Sequence, residues 1–196
     1  MITVPFRRLT RASIFGGGVL AGVLAASSAQ AHTDSVAIDV TARIKERCGF
    51  ASSGPDNLTA PRDLENAANF TVAVGLDCNT PYALGVTSQS GGLLNVDAAD
   101  DGSGYSFSKR YRVSVALETD KGIVRSQRCT SNDMEDGGSC DFASLVPGRG
   151  LKSGAGISVG RNAVISIDWP AQAANEPRLA AGHYKDTLIL VVGPRA

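Results

Sequence analysis

The sequence is poor in the residues that most enzymes and metal centres depend on. It has two histidines, His32 and His183, in 196 residues, together with one tryptophan and two methionines. With so little imidazole, a Ser–His or Cys–His catalytic pair has few places to form, and neither a G-x-S-x-G turn nor a glycine-rich phosphate loop occurs. The four cysteines include no C-x-x-C, which removes both a redox-active pair and a close-spaced zinc site. Neither sign of charge dominates, with 19 basic and 19 acidic side chains, so no basic face for nucleic acid is expected. No apolar run reaches the roughly 20 residues a membrane helix needs, so no stable membrane insertion is expected either. Sustained 3.6-residue periodicity is scarce; "PRDLENAANF" offers one or two turns at most.

What is present begins with a leader. Arg7, Arg8 and Arg11 form a basic region, residues 13–26 are mildly apolar, and Ala29-Gln30-Ala31 is an A-x-A cleavage site. Residues 1–31 therefore read as a secretory signal peptide, exported by the general or, given Arg7-Arg8, the twin-arginine route. Cleavage would leave 165 residues, enough for one domain, and would remove three arginines and no acid. That leaves 16 basic against 19 acidic groups, a net charge of minus three.

Cys48, Cys78, Cys129 and Cys140 all lie beyond the leader. An even count in an exported chain indicates two disulfides, with three pairings possible. Closure of the shorter loops favours Cys48–Cys78 and Cys129–Cys140, contributing about 3.7 and 2.8 kcal/mol by chain entropy.

The remainder alternates with period two between turn-rich loops. "FTVAVGLDC" places Phe70, Val72, Val74 and Leu76 on one face, and Asn79-Thr80-Pro81 then predicts a hairpin with "YALGVT". "RYRVSVALET" places Tyr111, Val113, Val115 and Leu117 together, with "KGIVRSQ" as its hairpin partner. "AVISIDW" buries Ile165, Ile167 and Trp169. About seven short strands with frequent turns predict an all-β sandwich in one domain.

Candidate chemistry is sparse. The acidic loop "NVDAADDGSG" fails as a calcium loop, because Ala99 and Ser108 fall where ligands are required. Cleavage after Ala31 would expose an N-terminal His32, which with His183 could offer nitrogen ligands to copper, so a copper-binding sandwich is one alternative. No cofactor is otherwise called for.

Both ends of the expected mature chain are unusual. Val36, Ile38, Val40, Ala42 and Ile44 alternate with polar or small residues, so a free terminal strand is predicted, and an open strand edge invites pairing with another chain. The closing "HYKDTLILVV" is apolar on both faces: Tyr184, Leu188, Leu190 and Val192 on one, Ile189 and Val191 on the other. Asp186, on the Tyr184 face, must find hydrogen-bond partners to be kept there.

The order of these features resembles the spore coat U domain family, which includes subunits of archaic chaperone–usher pili. The strongest similarity is the ending "AGHYKDTLILVV"; "GLDCNTPYALGVTSQSGG" and the position of Cys48 support it. Cys129 and Cys140 depart from the common pattern, and residues 97–160 do not align. The resemblance implies an incomplete immunoglobulin-like sandwich completed by a donated strand, with Cys48 and Cys78 bonded. It also implies a structural or adhesive role in a secreted fibre and no active site. The partners would be neighbouring pilus subunits, a periplasmic chaperone and an outer-membrane usher. The chain would pass through the periplasm to the cell surface or fimbrium. Residues 32–40 would be the donor segment, with Val36, Ile38 and Val40 as its buried side chains, and residues 41–196 the domain. Tyr184, Leu188, Leu190 and Val192 would line the acceptor groove. A non-polymerising envelope or spore coat protein is the remaining alternative.

Overall fold

The computed structural model describes residues 40–51 and 63–195. The chain divides into two compact units, Met1–Ala42 and Arg43–Ala196. Of the first, only residues 40–42 are described; they are exposed and outside any strand.

The second unit is built from antiparallel strands. In chain order they are β1 (Ala68–Cys78), β2 (Tyr82–Ser88), β3 (Leu93–Asn95), β4 (Ser108–Lys109), β5 (Arg112–Thr119) and β6 (Gly122–Arg125). There follow β7 (Cys129–Thr130), β8 (Leu151–Lys152), β9 (Ser158–Trp169), β10 (Tyr184–Lys185) and β11 (Leu188–Pro194). The only helical element among the described residues is a 3-10 turn, Ser131–Met134, in the loop after Cys129. The main sheet runs β1-β9-β5-β6, with β7 also on β5; a second runs β11-β2-β8; a small third runs β10-β3-β4.

Period-two patterning explains the layers. On β5 and the residue before it, Tyr111, Val113, Val115 and Leu117 are buried while Arg112, Ser114 and Ala116 between them are not. Ala163, Ile165, Ile167 and Trp169 of β9 form the adjacent row of the same sheet. Tyr82, Leu84 and Val86 of β2 meet these rows in one core. Two antiparallel sheets facing a shared core is the layout of a β-sandwich. Trp169 stands edge-on to Phe70 at 5.7 Å, and its indole N–H donates to the Asn66 carbonyl at 3.0 Å. The β5–β6 hairpin forms as the sequence predicts: Asp120 and Lys121 turn between the paired Thr119 and Gly122.

Two sequence expectations are corrected. The predicted hairpin of "FTVAVGLDC" with "YALGVT" does not form: β1 pairs with β9 and β2 with β11. The Asn79–Pro81 link carries the chain from one sheet to the other instead of folding it back within one. The leading strand is not continued into the domain. No strand occupies residues 40–49, and Val40 and Ile44 are 87% and 83% exposed. Of the described residues 40–51, those from 47 onward join the sheet, with Asp77 N–H donating to the Gly49 carbonyl and Ala51 N–H to that of Gly75. The described part of "PRDLENAANF" makes one turn, Asn66 N–H to the Asp63 carbonyl, before β1 begins.

Cys48 bonds Cys78 and Cys129 bonds Cys140. The first disulfide fastens residues 47–51 to the end of β1; the second fastens β7 to the loop whose Phe142 and Met134 enter the core. Two disulfides fit an oxidising, exported environment. Among the described residues, no helix is long and apolar enough to cross a membrane.

Candidate functional site

The candidate site lies along β11, at the edge of the second sheet. On β11, alternate residues turn their backbone groups to opposite edges. Thr187 accepts from Gln89 and Arg195 donates to Pro81, so the odd-numbered residues bond to β2. Leu188, Leu190 and Val192 therefore direct N–H and C=O to the other edge. Among the described residues, nothing pairs with that edge.

The same three residues point their side chains into the core, yet all three are only half-buried. Their neighbours across the ladder, Val86 and Leu84 opposite Leu190 and Val192, are fully buried. The other side of β2 is closed by β8 and by Val86 N–H donating to the Phe142 carbonyl at 3.0 Å. Among the described residues, the second sheet is thus covered on one side and uncovered on the other.

β1 repeats the contrast along its own length. Where residues 47–51 cover its edge, Val74, Leu76 and Cys78 are buried. Beyond that cover, Ala68, Phe70 and Val72 face the core but remain half-buried. A cleft of about 890 Å³ lies where Phe70 and Trp169 of the main sheet meet Leu93 and Tyr184 of the small sheet.

Polar braces hold this end. Glu65 receives both Arg178 guanidinium bonds, Nε at 2.7 Å and Nη2 closer, and the Leu179 N–H at 3.0 Å. These bonds, the Arg178 bond first, hold the Glu65 carboxyl below its ordinary range. Tyr184 Oη lies 2.8 Å from the Ala180 carbonyl and 3.1 Å from that of Ser106, locking a corner. Asp186 accepts from Ser88 Oγ at 2.5 Å, Tyr111 Oη at 2.6 Å, Thr187 N–H at 2.7 Å and Ser90 N–H at 3.1 Å. Burial first, and then its bond to Asp186, pushes the Tyr111 hydroxyl well above the usual tyrosine range.

The residues singled out from sequence fall as follows. Leu188, Leu190 and Val192 come together on the open wall. Tyr184 does not: it belongs to β10, paired with β3, because the Asp186 cluster interrupts what reads in sequence as one strand. Val36 and Ile38 lie outside the described residues; Val40 is described and exposed. His32 is also outside them, and His183 Nδ1 sits 2.7 Å from Asp97 Oδ2. Phe70 and Val72 belong to the apolar row visible in the sequence, but Ala68 was not singled out there, and nothing marked β1 as an edge strand. No family model, curated protein or solved structure matches this chain.

Proposed function

We propose that the chain is a structural or adhesive subunit of a secreted surface fibre of the spore coat U type. In this reading the domain is an incomplete immunoglobulin-like sandwich, and subunits join by donor-strand exchange after chaperone–usher export. The observation that carries it is the coincidence on β11: Leu188, Leu190 and Val192 offer unpaired backbone groups and half-covered apolar side chains on one edge. A strand with alternating apolar residues satisfies both needs at once.

Residues 32–40 of a neighbour supply such a strand. Val36, Ile38 and Val40 repeat with the spacing of Leu188, Leu190 and Val192. Full burial of three such side chains contributes about 5–9 kcal/mol, with main-chain pairing added. None of the hydrogen bonds between described residues involves one before Lys45, so removing the donor segment leaves those bonds of the sandwich intact.

The test compares wild type, a chain lacking residues 32–39, and Ile38→Asp, each expressed with its chaperone and usher. Both variants are expected to fold and bind chaperone, yet fail to join a preceding subunit, since Asp at position 38 brings an unpaired charge into an apolar groove. Normal fibres from Ile38→Asp, or unfolding of the truncated domain, overturn the proposal.

A further inference from the structure

A second cleft, of about 400 Å³, lies at the start of β5, away from β11's open edge. We propose that it binds the carboxylate or sulfate group of an acidic saccharide.

The cations around this cleft are under-compensated. Lys109 is only 7% exposed, and its ammonium donates to the neutral Gln172 Oε1 at 2.5 Å. Among the described residues it forms no ion pair. The Glu65 carboxylate acts on it through space but is itself bonded to Arg178, and no acid bonds the buried ammonium directly to offset its desolvation. Arg110, next in the chain, is exposed and forms neither an ion pair nor a side-chain hydrogen bond among the described residues. Arg112 places Nε at 3.0 Å and Nη2 at 2.5 Å from Asp168 Oδ2, and Arg128 Nε lies 3.6 Å from Oδ1 of the same carboxylate. One acid therefore serves two arginines. Glu176, the acid that lines this cleft, turns its Oε2 to the Ala173 N–H at 3.1 Å. Of the residues lining the cleft, Lys109, Arg110 and Arg112 are cationic and Glu176 alone is acidic, which leaves the cleft positive.

The remaining lining selects among anions. Ser106, Ser108 and Gln172 supply neutral donors and acceptors suited to sugar hydroxyls, and Pro170 and Pro177 stiffen the wall. The one aromatic here, Tyr111, is buried with its hydroxyl on Asp186, so no exposed ring is available to stack a nucleobase. A planar carboxylate or a sulfate can accept from Arg110 and approach Lys109 together, which gives charge-assisted bonds at the mouth and a counter-charge for the buried ammonium.

Calorimetry on the full chain would use a sulfated oligosaccharide, an oligogalacturonate, a neutral dextran of equal length and a single-stranded oligonucleotide. At least one acidic saccharide is expected to bind with salt-dependent affinity, and dextran not at all. Binding of the sulfated probe alone assigns sulfate; binding of the uronate alone assigns carboxylate. Arg110→Glu is expected to weaken binding at least tenfold, whereas Arg149→Glu, an exposed cation outside the cleft, leaves it unchanged. Circular dichroism checks that both variants fold. No acidic saccharide bound, equal losses in the two variants, or an oligonucleotide bound as tightly overturns the proposal.

Discussion

β2 and β11 are neighbours in one ladder, similar in length and apolar content, yet they sit in different environments. Tyr82, Leu84 and Val86 have no exposed surface, while Leu188, Leu190 and Val192 directly alongside keep part of theirs. Composition cannot account for this, because both strands turn Leu and Val inward. Position does: among the described residues, β2 has a strand on each side, and β11 has one. The two halves of β1 differ in the same way, buried under residues 47–51 and half-open beyond them. A sandwich seals an inward row only where the next segment lies across its edge. The opposite edge of the main sheet shows how an ordinary edge is kept harmless. β6 is four residues long, ends in Arg125 and follows Lys121. β11 is seven residues long and has no charged side chain.

The largest expected effect sets the two neighbours against each other with one chemical change. Leu84→Ala removes a fully buried side chain and should destabilise the monomer by about 2–5 kcal/mol. Leu190→Ala removes a half-covered one and should cost only about 1 kcal/mol, in proportion to the smaller area withdrawn from water. Urea denaturation of the two variants at matched conditions measures the difference. Equal losses would mean that β11 is sealed in the monomer, and the contrast would collapse. Adding a peptide of residues 32–44 sharpens the comparison: it should raise wild-type stability, and raise that of Leu190→Ala by less.

How far this contrast could be read from sequence depends on what each feature requires. The alternation in "RYRVSVALET" and "AVISIDW" gave β5 and β9 with the correct faces, because a buried face imposes its period on a strand directly. The β5–β6 hairpin was legible because its turn is local. Strand partners were not. Asn79-Thr80-Pro81 reads equally well as a hairpin turn or as a step between sheets, since residues far away in the chain decide whether β2 pairs with β1 or with β11. The break at Asp186 was half-legible: a carboxylate among apolar residues demanded partners, but Ser88 and Tyr111 lie 98 and 75 positions away. That Ala68, Phe70 and Val72 stay half-buried while Val74 and Leu76 do not depends on where residues 47–51 lie along β1, and no residue type encodes that.

Asp186 supplies an intermediate effect, because it ties the open strand to sealed elements. Its carboxylate gathers the hydroxyl of Ser88, at the end of β2, and that of Tyr111, beside β5. Asp186→Asn keeps the shape but replaces an acceptor-only group with one that also donates, which leaves at least one hydroxyl or amide poorly matched. A loss of about 2 kcal/mol is expected, against about 1 kcal/mol for Tyr111→Phe, which removes a single bond. In the double variant the losses should fall short of additive, because the two groups share one hydrogen bond. Amide exchange should show the consequence for the comparison: protection at Ile189 and Val191 falls, while protection along β9 holds. Unchanged exchange on β11 would mean that Asp186 does not anchor that strand.

The smallest effect concerns the brace at the mouth of the cleft. Glu65 is held below the ordinary glutamate range chiefly by Arg178 and then by the Leu179 N–H. A carboxylate whose folded value is depressed adds stability above its unfolded value, roughly 4.3, and loses that stability as pH falls from there through the folded value. Wild type should therefore exceed Glu65→Gln in melting temperature by a small margin at neutral pH. The margin should be constant down to about pH 5 and close below roughly 4.3. Because the pair is exposed, added salt should shrink the margin as well. A gap that persisted undiminished in acid would show that Glu65 supports the open end through packing and geometry, and that the charge of its carboxylate is incidental.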